Sequence, residues 1–234
     1  MQKRFKGIVI FIKIYKENDL FIKFLSDTDE LISGIVYGGL SKKKKGIYQI
    51  GFFLNLNVSY ISNRPPSISA ELIKPFLSNI ISNKFKISCL LSTISLINLS
   101  IVEGQKINNI FNLSEKFFKL MIIEEKWLID YCIFLLNLLK IIGYEINFKE
   151  ELNNRFFNLD TLKFVSEKTN PCIEFPFNLI VKKDRNRINY TSVNNIFRIF
   201  EKVFLYNHLS NLNLQLPNQY QLFKKLILRN LNNK

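Results

Sequence analysis

Five short runs of β-branched and aromatic residues, separated by polar turns, occupy residues 4–72 and constrain the fold most strongly. Such runs, bounded by turn residues as at 17–19 and 26–30, are typical of short β-strands. Five of them in so short a segment predict a small closed or partly closed β-barrel. The predicted strands are residues 4–15, 20–25, 31–37, 54–60 and 67–72.

The character of the sequence changes after Pro75. From there the chain runs in long segments with few glycines and no further proline until Pro171. The length and the end signals of these segments predict helices. The predicted helices are residues 79–98, 108–122, 124–143, 192–208 and 217–231.

A short β-hairpin is predicted to interrupt the helices, with 162–165 paired to 172–175. The chain is therefore predicted to be α+β. A barrel domain at 1–77 precedes a mainly α-helical domain at 78–234, which contains the hairpin at about 159–177.

The chain is both basic and rich in apolar residues. Its 234 residues, 47% of them hydrophobic, are enough to bury a core, and its formal net charge of +14 favours a polyanionic partner. A lysine-rich composition is also what an AT-rich genome encodes. The positions of the charges therefore carry more weight than their total.

Four consecutive lysines, Lys42–Lys45, stand out in the barrel segment. They follow a glycine pair and are closed by Gly46, which predicts a flexible basic loop after the third strand. Adjacent ammonium groups repel one another unless an anion lies across them, so a phosphate-binding surface and a merely solvated loop are about equally supported. Tyr37 and Tyr48 flank the loop and are the best candidates for stacking on bases.

No catalytic constellation is visible in the sequence. His208 is the only histidine, lies on a predicted apolar helix and has no nucleophile partner, and no glycine-rich phosphate loop occurs. Three acidic groups are better explained as a turn and two helix starts than as metal ligands. They are Asp27/Asp29/Glu30, Glu124/Glu125 and Glu150/Glu151. We therefore expect a protein that is not an enzyme.

The three cysteines, Cys89, Cys132 and Cys172, are far apart and odd in number, which argues against a disulfide framework or a metal knuckle. The uncharged stretch 87–102 and the apolar stretch 127–139 are both shorter than the ~20 residues of a membrane span. The N-terminus does not resemble a signal peptide. A cytoplasmic protein without membrane association is expected.

Four segments near the N-terminus resemble a known family. They are Gly7-Ile8-Val9, Glu17-Asn18-Asp19, Val36-Tyr37-Gly38-Gly39-Leu40-Ser41-Lys42-Lys43 and Gln49-Ile50-Gly51. In this order they closely resemble the N-terminal oligonucleotide-binding (OB) barrel of the RecO family of DNA-repair recombination mediators. Similarity with less motif-like specificity extends over 127–144, 164–166 and 197–216, so the resemblance covers nearly the whole chain.

Many members of the RecO family carry a four-cysteine zinc module around the hairpin. Here the region 143–177 contains only Cys172, with Glu151 near the position of a first ligand. A single thiolate cannot hold a structural zinc ion. With this departure, the resemblance implies a region that folds without metal and a protein that needs no cofactor.

The resemblance implies a bacterial, nucleoid-associated mediator of homologous recombination that is not an enzyme. Such a protein binds single- and double-stranded DNA, anneals complementary strands and, with RecR, loads the RecA recombinase onto DNA coated with single-stranded-DNA-binding protein. A surface that neutralises phosphates also favours annealing. The residues expected to contact DNA are Lys42, Lys43, Lys44, Lys45, Tyr37, Tyr48, Arg4 and Lys6.

The resemblance also implies that the helical domain receives the acidic, aromatic-ended tail of the single-stranded-DNA-binding protein. Such a peptide needs an apolar pocket rimmed by cations. The candidate cations are Lys116, Lys119, Lys126 and Arg155. Any one of them taken singly is more simply explained as part of a solvated helix face.

Two other classes of protein stay open. An OB barrel does not itself choose DNA over RNA, so an RNA-binding module is the main alternative. Competition between matched DNA and RNA strands discriminates these two. An enzyme acting on nucleic acid is the third class and would show turnover that depends on a divalent metal.

Overall fold

The structure, a computed structural model, describes residues 1–74, 76–148, 151, 154–210 and 214–233. The chain divides into two compact units, Met1–Asn112 and Leu113–Lys234. The first unit contains a five-stranded β-barrel, and the second contains helices and a small three-stranded sheet. The predicted α+β class, with an N-terminal barrel followed by helices, is confirmed.

The barrel strands are β1 (Gln2–Ile14), β2 (Leu20–Ser26), β3 (Leu31–Val36), β4 (Phe53–Ser59) and β5 (Ser67–Lys74). They pair in the order β1-β2-β3-β5-β4, and β4 closes the barrel on β1. The parallel pair, β3 with β5, meets at Ile35 and Ser67, and the other pairs are antiparallel. This order is that of an OB-type Greek-key barrel.

Strand β1 is long enough to pair on both of its edges. Residues 2–8 pair with β4, and residues 7–14 pair with β2. Gly7 belongs to both ladders, and a Cβ atom there would lie only 2.6 Å from Leu56 and 2.7 Å from Phe24. Glycine is therefore needed at this position for the core to close.

Alternate residues of the strands point into the barrel, as the period-two pattern of the sequence predicts. The fully buried centre of the core contains Val9, Ile22, Phe24, Leu54 and Val58. These side chains come from β1, β2 and β4, so burial of their apolar surface holds the sheet in its closed form.

Helix α1 (Lys84–Ser100) belongs to the first unit because it packs against the barrel. It begins after Asn83, whose side chain caps the first turn, and it contacts β1. Leu90 lies 2.9 Å from the position that a Cβ atom on Gly51 would take. The sequence predicts a domain boundary after residue 77, near Pro75. Pro75 itself lies outside the described residues. The structure groups α1 with the barrel.

The remaining helices are α2 (Ile110–Ile123), α3 (Leu128–Ile141), α4 (Phe177–Ile180), α5 (Tyr190–Phe204) and α6 (Asn218–Asn232). The core of the second unit is aromatic. The ring centroids of Tyr131 and Phe223 are 4.8 Å apart, and those of Phe117 and Phe134 are 5.1 Å apart. Each long helix corresponds to a predicted one with shifted ends, whereas the one-turn α4 was not predicted. Within the described ranges, no helix is long and apolar enough to cross a membrane.

The small sheet corrects the predicted hairpin. Its strands are β6 (Phe156–Asn158), β7 (Lys163–Val165) and β8 (Cys172–Glu174), in the order β7-β6-β8. The segments predicted to pair with each other instead pair with opposite edges of β6. The buried ring of Phe157 explains the central position of β6, which is too short to show a periodic pattern in the sequence.

Candidate nucleic-acid interface

Three loops border the end of strand β3, and we call residues 15–19, 37–46 and 60–66 the loop end. The backbone N–H of Leu40 donates to the carbonyl of Asn18, with N and O 3.1 Å apart. The N–H of Ile35, the next-to-last residue of β3, donates to the carbonyl of Pro66 at 2.8 Å. In OB barrels the β1–β2 and β4–β5 loops bind oligonucleotides together with the face of strands 2 and 3. The lysine loop therefore lies beside the loops and strands that bind oligonucleotides in this fold.

The lysine loop, residues 37–46, forms a series of hydrogen-bonded turns. The N–H groups of Lys44 and Lys45 both donate to the carbonyl of Ser41, at 3.0 and 2.9 Å. All four lysines, Lys42–Lys45, are exposed. The ammonium group of Lys44 also donates to the carbonyl of Tyr37 at 2.8 Å. The structure thus presents the predicted cations on a backbone of hydrogen-bonded turns.

The glycine pair before the lysines has a structural role. Gly38 has a φ of +62°, and its N–H donates to the Asp19 carboxylate with N and Oδ1 2.8 Å apart. A Cβ atom on Gly39 would lie 2.9 Å from Leu20. The pair therefore supplies a left-handed turn and a close contact, which fix the start of the lysine loop.

Two tyrosines at the loop end have exposed rings. Tyr37 is 54% exposed and Tyr15 is 49% exposed, and the ammonium group of Lys16 lies 5.7 Å from the Tyr15 ring centroid. Exposed aromatic faces next to cations are what single-stranded nucleic acid binds. The sequence pointed to Tyr37 but missed Tyr15, Lys16 and Arg64. The only feature of the sequence that marks these residues is their position in the β1–β2 and β4–β5 loops. That position indicates a binding role only when the strand order is known.

Tyr48 does not belong to this surface. It is only 5% exposed and packs in the barrel core, where burial raises the pKa of its hydroxyl despite a hydrogen bond with the backbone of Ala70. A buried ring has no free face for a base, so the stacking role expected for Tyr48 is not supported. The segment after the lysine loop folds back against the barrel, so the ring of Tyr48 is buried in the barrel core.

Arg4 and Lys6 lie elsewhere on the barrel. They occupy β1 opposite β4 and line a groove of about 450 Å³ that also contains the carboxylates of Asp27 and Glu71. The start of β1 lies beside residue 60 of the loop end, because the N–H of Tyr60 donates to the carbonyl of Met1 at 2.8 Å. Arg4 and Lys6 therefore lie on the part of β1 that pairs with β4, and not on the part that leads into the β1–β2 loop.

The second unit has a basic groove of about 730 Å³ beside the start of α5. The cations that line it are Arg155, Lys182 and Arg187, and Phe177 and Pro176 supply apolar surface. Of the four predicted partner-binding cations, only Arg155 lines this groove.

The other three predicted cations lie outside the lining. Lys126 donates to the side chain of Asn186, the neighbour of Arg187 in the chain, with Nζ and Oδ1 2.9 Å apart. Lys119 pairs with Glu115 on α2 at 3.2 Å, and Lys116 is exposed on the same helix. The structure therefore places Lys126 against a chain neighbour of one groove residue and shows no such contact for Lys116 or Lys119.

The cysteines are buried, and burial raises the pKa of the Cys132 thiol to about 12. Cys172 lies on β8 with its sulfur 3.3 Å from the Thr169 hydroxyl. Among the described residues, no group of three or more His, Cys, Asp or Glu side chains is placed to hold a metal ion. His208 lies in a π-helical turn after α5, with its ring centroid 5.0 Å from that of Phe204. That the hairpin region folds without zinc stays a prediction. Glu150, one of the acidic residues considered as a metal ligand, lies outside the described residues.

Comparison with known proteins gives consistent matches. A family model described as "Recombination protein O C terminal" matches residues 82–189. A protein from Rickettsia canadensis (strain McKiel) named DNA repair protein RecO is 33% identical over 150 residues, which cover 60% of this chain and 58% of that protein. A protein of the same name from Rickettsia bellii (strain OSU 85-389) is 32% identical over 143 residues, which cover 61% of this chain and 58% of that protein. The chain thus spans less than two thirds of the length of these relatives.

The fold defines the class of protein as an OB-type barrel joined to a helical unit. Within that class, the family model and both relatives show that the chain is similar to proteins of the RecO family. The resemblance seen in the sequence is confirmed.

Proposed function

We propose that the chain is a non-enzymatic mediator of DNA repair and homologous recombination. It binds single- and double-stranded DNA, anneals complementary strands and, with RecR, helps to load the RecA recombinase. The observation that carries this proposal is the loop end, where Lys42–Lys45, Tyr15 and Tyr37 are all exposed. The printed name of the relatives, DNA repair protein RecO, supports the same function.

The proposed mechanism needs only non-covalent contacts. The ammonium groups of the lysine loop lie along the phosphate backbone and release counterions, so affinity falls as salt rises. The rings of Tyr37 and Tyr15 stack on unpaired bases without sequence preference. Strands whose phosphates are neutralised repel one another less, which favours annealing of complementary sequences.

The groove of the second unit is the proposed site for the acidic, aromatic-ended tail of the single-stranded-DNA-binding protein. Arg155 lines the groove, and Lys126 donates to Asn186, the chain neighbour of the lining residue Arg187. The cations pair with the carboxylates of the tail, while its aromatic end packs on the apolar surface of Phe177. Lys116 and Lys119 are less well placed for this role.

Annealing and competition assays test the proposed function. The protein should accelerate annealing of complementary DNA strands, and it should bind DNA in competition with RNA of the same sequence. Preference for RNA together with no annealing would favour the RNA-binding alternative. Turnover of nucleic acid that depends on a divalent metal would contradict the non-enzymatic role.

A further inference from the structure

Lys23 and Ser33 face each other across strands β2 and β3. Both point away from the core, because Ile22 and Phe24, the neighbours of Lys23, are buried inside the barrel. Their side chains therefore lie on the outer face of strands 2 and 3. That face is the one that binds oligonucleotides in OB barrels.

The carboxylate of Glu103 lies against this pair. The hydroxyl of Ser33 donates a hydrogen bond to Oε1, and the ammonium group of Lys23 is 3.9 Å from Oε2. Each carboxylate oxygen thus meets one donor. A phosphodiester also carries a single negative charge shared by two terminal oxygens, so the same two donors suit a backbone phosphate.

Glu103 is held at the tip of a tight turn. The N–H of Gln105 donates to the carbonyl of Val102 at 3.0 Å, and Gly104 has a φ of +83°. Further along the chain, the Asp29 carboxylate accepts the N–H of Asn109 at 2.8 Å, which ties this segment back to the barrel. The turn is therefore anchored, whereas the Glu103 side chain itself remains 49% exposed.

We propose that Lys23 and Ser33 form a phosphate subsite that Glu103 closes in the unbound protein. A backbone phosphate of the nucleic acid replaces the carboxylate, and the Glu103 side chain turns out to solvent. The exchange requires little energy because a half-exposed ion pair is weak. Phe21, two residues before Lys23 on the same face, lies beside the subsite, and its ring is 6.4 Å from that of Phe11. The inference rests on the proposed function and adds a gated contact to it.

The test compares Glu103→Ala with Glu167→Ala, which removes the same charge from an exposed position in the second unit. Glu103→Ala should raise affinity for a single-stranded oligonucleotide about 2- to 5-fold, the equilibrium equivalent of one exposed ion pair. The slope of log affinity against log salt should change little, because the same phosphate contact forms in the wild type and in the variant. Glu167→Ala should raise the affinity by less.

A second arm separates the subsite from a general charge effect. Adding Lys23→Gln to Glu103→Ala should abolish the gain in affinity and flatten the slope of log affinity against log salt by about 0.7 relative to the wild type, because the phosphate contact is lost. Equal gains from Glu103→Ala and Glu167→Ala, or a gain that survives Lys23→Gln, would overturn this inference and leave the proposed function standing. No binding by the wild type or any variant would overturn the proposed function and this inference with it.

Discussion

The ammonium group of Lys44 and the backbone carbonyl of Tyr37 are joined by a hydrogen bond of 2.8 Å. This bond ties one cation of the lysine loop to the residue whose ring is exposed beside it. Lys44 therefore contributes to the conformation of the loop as well as to its positive charge. Lys42, Lys43 and Lys45 are exposed and contribute charge. The four lysines are not equivalent, and variants can separate their roles.

Replacing Lys42, Lys43 and Lys45 by alanine should flatten the slope of log affinity against log salt by about 2, since each phosphate contact on a single strand contributes ~0.7. The free energy of unfolding should not fall, because exposed lysines contribute little and their mutual repulsion is relieved. Adding Lys44→Ala should bring the change in slope to about 3. A salt titration on one oligonucleotide measures it.

The matched control for the lysine loop replaces three exposed lysines of the second unit, Lys163, Lys168 and Lys225. It removes the same charge, so a similar flattening in the control would show that only net charge matters. An unchanged slope in the loop variant would mean that the loop is merely solvated.

Tyr37→Ala should weaken binding of nucleic acid, whereas Tyr48→Ala should lower the stability of the fold. Loss of the exposed Tyr37 ring should weaken single-strand binding by about 1 to 3 kcal/mol with little change in stability. Loss of the buried Tyr48 ring should lower the free energy of unfolding by about 3 kcal/mol. Fluorescence anisotropy and chemical denaturation measure the two effects. Normal binding by Tyr37→Ala would remove it from the interface.

Reversing the charges of Arg155 and Lys126 to glutamate should abolish binding of an acidic, aromatic-ended peptide, because these cations belong to or adjoin the groove. Binding to naked DNA should survive. The control reverses Lys116 and Lys119, which are also exposed but lie outside the groove lining. If the control loses the peptide and the groove variant retains it, the site lies on α2 instead. Isothermal titration calorimetry measures both affinities.

The purified protein should contain no stoichiometric zinc and should keep its thermal midpoint in a strong chelator. The reason is the single cysteine, Cys172, in the region 143–177. Metal analysis and thermal denaturation with chelator measure this directly. One tightly bound zinc ion per chain would contradict it.

Tyr220 should make the protein less stable at alkaline pH. Its side chain is fully buried and its hydroxyl donates to Glu201, and burial followed by the Glu201 charge raises its pKa well above the usual 10.0. The folded state therefore holds the proton longer than the unfolded state. The stabilisation is complete below pH 10 and is lost as the pH rises toward the folded-state pKa.

Tyr220→Phe should remove that contribution and reduce the fall in stability above about pH 10. Tyr206→Phe, which alters an exposed tyrosine, is the control. Denaturation curves at a series of pH values measure the dependence. An identical alkaline loss in the wild type and Tyr220→Phe would show that this group is not its source.

The barrel could be predicted from the sequence because its strands are short runs of β-branched and aromatic residues between polar turns, and β4 also buries alternate residues, Leu54, Leu56 and Val58. Such a pattern depends only on the residues of the strand itself, so it can be recognised without knowing which strands are its neighbours. The small sheet could not be predicted because β6 has only three residues and its place between β7 and β8 depends on the burial of Phe157.

The candidate site was predictable where it depends on composition and not where it depends on topology. The exposed Lys42–Lys45 run is visible in the sequence. The burial of Tyr48 depends on the chain folding back into the barrel, and the nearness of Tyr15 depends on the β1–β2 loop lying against the lysine loop. Contacts such as that of Glu103 with Ser33 join residues 70 positions apart and leave no local signal.

The double pairing of β1 has a consequence for synthesis on the ribosome. The β1–β2–β3 meander is complete at Val36, but β4 ends only at Ser59, 23 residues later, a delay of about 1 to 5 s at ~5–20 residues per second. Until then, residues 2–8 of β1 expose an unpaired edge that could join a neighbouring nascent chain. Arg4 and Lys6 stand on that edge, and charges there are a known protection against such association. These two charges therefore protect the edge in the seconds before the barrel closes.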